Sequence, residues 1–310
     1  MKKKKLLKKC RLTSAKETPT CPNLCESGTD IIIPYKDSVK PSVNISKHSL
    51  HIVIGDKASG KTQGAKKLIA QYVKHRKKRK LPYRVLIFDM LGEYKDIAKD
   101  VTLKQVPIFR NKICRIPTDG VGSPEFINFL RVALDYIREF EDGLIVIDDK
   151  MHFRGDLLKT LEEILIKRYK SKRVDVVSCI HTFRQITHNE WLRVEHLTIG
   201  NVHDALQIPC PEFINDKLLK LAIKCRHEQI HLERIKIFIK YKNVATKNKK
   251  CRLVSAFQKV HVNIINEKIV GIEEEAFFEA VLQTANENTS RSVNGLNSIS
   301  DSIIYHSKFF

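Results

Sequence analysis

No apolar run in this chain of 310 residues approaches the ~20 that a membrane-spanning helix needs, so no transmembrane segment is expected. The basic opening MKKKKLLKKCRLTSAKE offers only Leu6-Leu7 where a secretory signal carries its longer apolar core, and an intracellular chain is expected. Zinc patterns are absent too. Cys10, Cys21 and Cys25 cluster, but their spacing fits no common ligand set and no His lies close by. Cys114, Cys179, Cys210 and Cys225 sit in apolar or mixed segments and read as small core residues, free thiols in a reducing compartment. There is no internal repeat. Acid is also short: 35 Asp and Glu stand against 56 Lys and Arg, a formal net charge of +21. Such an excess suits a polyanionic partner, either nucleic acid or an acidic membrane surface; in a lysine-rich proteome it is only solubilising.

What is present is organised around LHIVIGDKASGKT. The β-branched run His51–Ile54 leads into Gly55, Asp56, Lys57, Ala58, Ser59, Gly60, Lys61 and Thr62, a full G-x-x-x-x-G-K-[ST] match, and a helix-forming segment follows from Gln63. Two glycines let the backbone turn its N–H groups toward phosphate oxygens, and the first turn of the following helix adds unpaired donors. Lys61 is placed to neutralise the β- and γ-phosphates, and Thr62 to set a hydroxyl on Mg²⁺. This is a nucleoside-triphosphate site. With it, the positive charge is best read as serving a nucleic acid.

Residues 1–30 read as a basic flexible arm, either binding phosphate backbone or simply solvated. Residues 31–285 read as one domain with its motif core at 45–240, and 286–310 as a mobile polar tail. The helix after the loop ends in Lys74-His75-Arg76-Lys77-Lys78-Arg79-Lys80, which either complements the helix dipole or contacts phosphates. Strands are expected at 84–89, 105–109, 112–116, 174–180 and 195–200. Asp89 and Glu93 lie at the ligand crevice or form a turn. Pro124 opens a helix over 125–140, with Phe126, Phe129, Leu130, Ala133, Leu134 and Ile137 on its core face. GLIVIDD is an apolar strand ending in acids. Asp148 would hold Mg²⁺ through water, and Asp149 takes the place of the carboxylate that orients or deprotonates the attacking water. A helix over 157–169 runs into a second cationic stretch that includes Arg168 and Arg173. His181, Thr182, Arg184 and Gln185 follow a strand end, as γ-phosphate sensors or as a capped polar loop. Further on, a helix is expected over 213–226, strands over 230–241 and 251–265 around a cationic turn at 243–250, and a helix over 273–285.

GDKASGKT at 55–62, VLIFDMLGEY at 85–94, GLIVIDDKMHF at 143–153, IKRYKSKRVDVVSCIHTFRQI at 166–186 and WLRVEHLTIGNVHDA at 191–205 together resemble the FtsK/HerA superfamily of P-loop ATPases. That superfamily includes DNA translocases, viral packaging ATPases and proteins similar to zonular occludens toxin. The resemblance implies a RecA-like α/β fold with a central, mostly parallel sheet flanked by helices. It implies ATP and Mg²⁺, hydrolysis at subunit interfaces of a hexameric ring, and DNA held through non-specific backbone contacts, in a bacterial cytoplasm or a virus-infected cell. By position it assigns Lys61 and the loop residues 55–63, Gln63 included, to the nucleotide and Thr62 and Asp148 to the metal. Asp149 becomes the catalytic acid, Gln185 or His181 the sensor, and Arg168 or Arg173 the finger onto a neighbouring subunit. The family carries Glu where Asp149 stands, which leaves open a nucleotide-gated scaffold with slow hydrolysis. A small-molecule kinase on the same loop is a third reading, weakened by the basic surface.

Overall fold

The computed structural model describes residues 48–117, 123–202, 208–241 and 243–293. The expectations for the N-terminal arm, for the cysteines at 10, 21 and 25, and for residues beyond 293 lie outside them. The chain divides into two units, Pro34–Leu282 and a second made of Met1–Ile33 with Gln283–Phe310. The first holds every feature treated below except the end of the last helix, Glu274–Val293, from Gln283 onward.

Its frame is a nine-stranded sheet. In chain order the strands are β1 (Leu50–Ile54), β2 (Arg84–Asp89), β3 (Lys99–Asp100), β4 (Lys112–Pro117), β5 (Gly143–Ile147), β6 (Val174–Ile180), β7 (Val194–Ile199), β8 (Val260–Asn263) and β9 (Lys268–Val270). Across the sheet they run β3-β4-β2-β5-β6-β1-β7-β8-β9. All neighbours from β3 to β7 are parallel, and β7-β8 and β8-β9 are antiparallel. β1, β2, β5 and β6 are buried along their whole length, because helices cover both faces. Their mostly apolar, β-branched composition follows from that, and it made these strands easy to read.

The helices are α1 (Lys61–Lys78), α2 (Pro124–Ile137), α3 (Asp156–Leu161), the short α4 (His188–Trp191), α5 (Asp216–Lys240), α6 (Val244–Phe257) and α7 (Glu274–Val293). α1 places Ala65, Leu68, Ile69 and Tyr72 against Val53, Val85, Val146 and Val177. Each such aliphatic side chain contributes roughly 1.5–3 kcal/mol through burial. At the other end of α1, Arg76 holds Asp142 through both carboxylate oxygens at 3.0 Å and donates to Pro82 O at 2.7 Å. Part of that cationic run is therefore structural. α2 starts as expected, Ser123 accepting from Phe126 N–H at 3.1 Å. The expected helix over 157–169 is instead α3 followed by a wider π turn, Glu162–Ile166. Cys114, Cys179 and Cys225 are buried and Cys210 half-buried, all as free thiols.

Several expectations are corrected. Residues 105–109 form no strand: Pro107 has no N–H for a ladder, and a 3-10 turn at Leu103–Gln105 stands there. RIKIFIKY, expected as a strand, is the distal half of α5, and the expected turn at 243–250 lies in α6. No Gly or Pro interrupts 216–240, so extending a formed helix costs less than nucleating a strand without a sheet neighbour. Asn243 then caps α6 by accepting from Thr246 N–H at 2.9 Å. Of the strand expected at 251–265, only β8 forms. α7 runs on to Val293, past the expected end at 285.

Candidate functional site

Parallel strands put their carboxyl ends on one edge, and β1, β2, β5 and β6 deliver the site there. After Ile54 the chain turns through Gly55–Gly60 and is pinned at its first shoulder. Gly55 N–H donates to Ile180 O at 3.1 Å, Asp56 N–H to Asn201 O at 2.6 Å, and Gly200 N–H to Ile54 O at 2.8 Å. Asn201 returns a side-chain bond to Asp56 at 3.1 Å. Ala58 has φ 63° and Gly60 φ 75°, left-handed conformations that curl the loop back toward α1. A Cβ on Gly60 would also lie 2.5 Å from the ring of Phe257. No side chain caps the start of α1, which leaves its first N–H groups facing the pocket.

That pocket, about 470 Å³, is lined by Lys57, Ala58, Gly60–Gln63, Lys66, Leu91, Glu93, Asp148, Asp149, His181 and Phe257. Lys61 is buried. Its ammonium donates to Gly55 O at 2.7 Å and Asp56 O at 3.0 Å, and lies 3.2 Å from His181 Nδ1. Burial holds its pKa below the ordinary lysine value, against the pull of Asp148, Asp149 and Asp56. The lysine thus rests on neutral carbonyls and can exchange them for phosphate. Thr62 donates to Glu93, and its hydroxyl is 3.4 Å from Asp148 Oδ2. Asp148, almost wholly buried, has its pKa pushed up to about 6, first by burial and then by the nearby Glu93 carboxylate. Beneath it, the thiol of Cys179 is raised well above its usual value by burial and by Asp148.

Asp149 adopts φ 57°. One carboxylate oxygen lies 3.3 Å from His181 Nε2 and the other 3.5 Å from His152 Nε2. The oxygen facing His181 is buried and makes no aligned hydrogen bond. Since the Lys61 ammonium can only donate, His181 Nδ1 is the acceptor and its Nε2 carries the proton toward Asp149. Lys61, His181 and Asp149 form one polar chain along the pocket floor.

Metal is tested by the donors. Thr62, Glu93 and Asp148 converge as oxygens alone, the set a hard cation takes. No group of three or more His, Cys, Asp or Glu able to hold a metal occurs among the described residues. A partial oxygen shell completed by phosphate and water is what Mg²⁺ prefers, and the residues fit it.

The two acids in FDMLGEY divide. Asp89 forms a turn, accepting from Glu93 N–H at 2.8 Å and Tyr94 N–H at 3.1 Å, and pairs with Arg115 at 3.0 Å. Glu93 enters the pocket. Gln185 does not line the pocket: its side-chain oxygen accepts from His181 N–H at 2.6 Å and Thr182 N–H at 3.3 Å. It thereby sets the loop that carries His181. Arg168 and Arg173 precede β6, on the opposite edge of the sheet from the pocket. β6 alone, seven residues long, sets ~23 Å between the two edges. Phe257 and Lys259 were not anticipated. The Lys259 ammonium donates to Gly60 O across 199 residues of sequence, a distance no local pattern reveals. Burial and the neighbouring Lys67 lower its pKa to about 8.

Residues 38–139 match the family model described as helicase HerA, central domain. No curated protein matches the chain. Among solved structures, similarity extends to the genome-packaging NTPase B204 of Sulfolobus turreted icosahedral virus 2 in complex with ATP-γS. Identity is 11%, TM-score 0.43, covering 72% of this chain and 96% of that one. B204 of Sulfolobus turreted icosahedral virus, described as a DNA-packaging ATPase, matches at 12% identity and TM-score 0.41, covering 73% and 97%.

Proposed function

We propose that this chain is a P-loop ATPase of FtsK/HerA type that hydrolyses ATP to drive movement or packaging of DNA as a homo-oligomeric, hexameric ring. The observation that carries the reading is the pocket itself: a buried loop lysine parked on two carbonyls, facing Asp148, Asp149 and His181. Lys61 moves from those carbonyls to the β- and γ-phosphates. Thr62 and Asp148 hold Mg²⁺, which when bound neutralises charge on the phosphate oxygens. Asp149 accepts the proton of the attacking water and His181 keeps that carboxylate oriented. Arg168 or Arg173 serves a neighbouring copy's γ-phosphate, since neither lies at its own pocket edge. The excess of positive charge, +21 overall, engages DNA through its backbone and carries no base readout.

One observation favours a second reading, a nucleotide-gated scaffold with slow turnover. Asp149 is the shorter acid, and both its oxygens face imidazoles. ATP turnover with and without duplex DNA, at low and moderate salt, separates the two, with Lys61→Ala as the blank. The motor requires turnover that rises with DNA, falls with salt and drops by about 10²-fold or more in the variant. ATP binding with turnover indifferent to DNA at every salt selects the scaffold.

A further inference from the structure

The distal half of α5 and nearly all of α6 stand away from the sheet. From Glu233 to Lys240 and from Val244 to Lys250, residues are exposed or half-buried, and the face of α6 that packs is marked by the buried Cys251. Between Arg234 and Arg252 the sequence holds eight Lys and Arg and no Asp or Glu. The charges on α5 are partly engaged: Lys236 pairs with Glu273, and Arg234 donates to Ser255. Lys247 lies over the Phe238 ring at 4.0 Å. Those turned outward on α6, Lys249, Lys250 and Arg252, are exposed, and among the described residues no carboxylate lies within ion-pair distance of them. Lys249 and Arg252 are three apart and share one side of the helix, with Lys250 beside them.

The last residue of α6 is Phe257, whose ring packs on Gly60 of the phosphate loop; two residues on, Lys259 donates to the Gly60 carbonyl. Arg226 of α5 fixes this root, donating at 2.8 Å to both Gln258 O and Ser255 O. From Arg252 to Phe257 the helix rises only ~8 Å. A second cationic region, Lys77–Lys80 with Arg168 and Arg173, lies at the far edge of the sheet, where Arg76, Lys170 and Lys172 are paired with acids. It makes no contact with the phosphate loop.

We propose that the outward face of α6, carried by Lys249, Lys250 and Arg252, is the surface that grips the phosphate backbone of duplex DNA, rooted directly on the loop that holds ATP. This rests on the reading above that DNA is the partner. Unpaired cations in water release phosphate counterions without first breaking an ion pair. Among the described residues Lys78, Arg79 and Lys80 are as unpaired as the α6 set, and what sets α6 apart is its root on the phosphate loop. A membrane surface is the weaker fit. The exposed apolar residues Ile235, Phe238, Ile239 and Val244 gather at the hairpin tip, and only Leu253 stands beside the α6 cations.

The test is the salt dependence of duplex binding, followed by fluorescence anisotropy from roughly 50 to 300 mM NaCl, for the full chain. The variants are Lys249→Gln/Lys250→Gln/Arg252→Gln and, as an equal charge loss, Lys78→Gln/Arg79→Gln/Lys80→Gln. The α6 triple is expected to bind ATP normally and to lower the log–log salt slope by about 2–3, with little change in the control triple. An unchanged slope in the α6 triple overturns the proposal, as does a larger loss in the control. A shift of the α6 triple to smaller oligomers with its slope intact assigns the face to subunit contact and also overturns it. A wild-type chain that binds no DNA at any salt removes the DNA reading as well; binding that survives in the triple removes only this surface.

Discussion

Two places in the molecule hold dense charge under opposite conditions. At the carboxyl edge of the sheet, Lys61, Asp148 and Asp149 are drawn out of water and face one another. On α6, Lys249, Lys250 and Arg252 stand in water with no carboxylate partner among the described residues. Burying a charge costs stability and sharpens chemistry; exposing one costs almost nothing and leaves only a field. Substitutions in the pocket are therefore expected to move turnover and stability in opposite directions. Those at the exposed α6 cations should leave basal turnover and stability unchanged, and should act only through ionic strength.

The largest effect expected is at Asp148. Asp148→Asn removes a metal-side oxygen charge, and turnover falls by about 10²–10³-fold. The ligand-free protein becomes more stable above pH 6, because the folded carboxyl has its pKa raised from 3.8 to about 6. The folded state then holds the proton over that window more tightly than the unfolded chain, so this group's contribution falls as pH rises through it. The difference in melting free energy between variant and wild type should grow from near zero at pH 4 to on the order of 2 kcal/mol at pH 8. Nucleotide–Mg²⁺ binding to the wild type runs the other way, strengthening across the same window as the carboxylate ionises. A variant less stable than wild type at pH 8 breaks the contrast, since the buried carboxyl would then have been stabilising.

The next effect lies where the two regions meet. Phe257 is 47% exposed, so Phe257→Ala is expected to lower stability by only ~1 kcal/mol. It removes the ring that joins α6 to Gly60. DNA should still bind with the wild-type salt slope, while its stimulation of ATP turnover drops several-fold. Stimulation retained in full shows that pocket and hairpin act independently.

The two regions differ in legibility for the same physical reason. GLIVI and VDVVSCI are covered on both faces, so each position is selected for burial and the strand is visible in the residues alone. The phosphate loop is legible because its glycine, lysine and threonine spacing is imposed by phosphate geometry. RIKIFIKY has similar β-branched content, but it is exposed and has no sheet neighbour; its state is set by the helix already running from Asp216. Asp89 and Glu93 were not separable in sequence, since a turn-forming carboxylate and a site carboxylate are the same chemistry four residues apart. Phe257 and Lys259 left no signal, because their contact with Gly60 depends on β8 returning beside β7 and on nothing local.

The smallest effect is the most diagnostic of exposure. Lys249→Gln removes one cation from the outward face of a helix whose cap, Asn243, and whose buried contact, Cys251, are untouched. Thermal unfolding should shift by less than about 0.5 kcal/mol. ATP binding should be unchanged. The salt slope of duplex binding should fall by about 0.9, the value of one phosphate contact, and the affinity loss should be the same for every DNA sequence. A loss confined to particular sequences contradicts backbone contact, because a lysine that reads bases discriminates among them and one that neutralises phosphate does not.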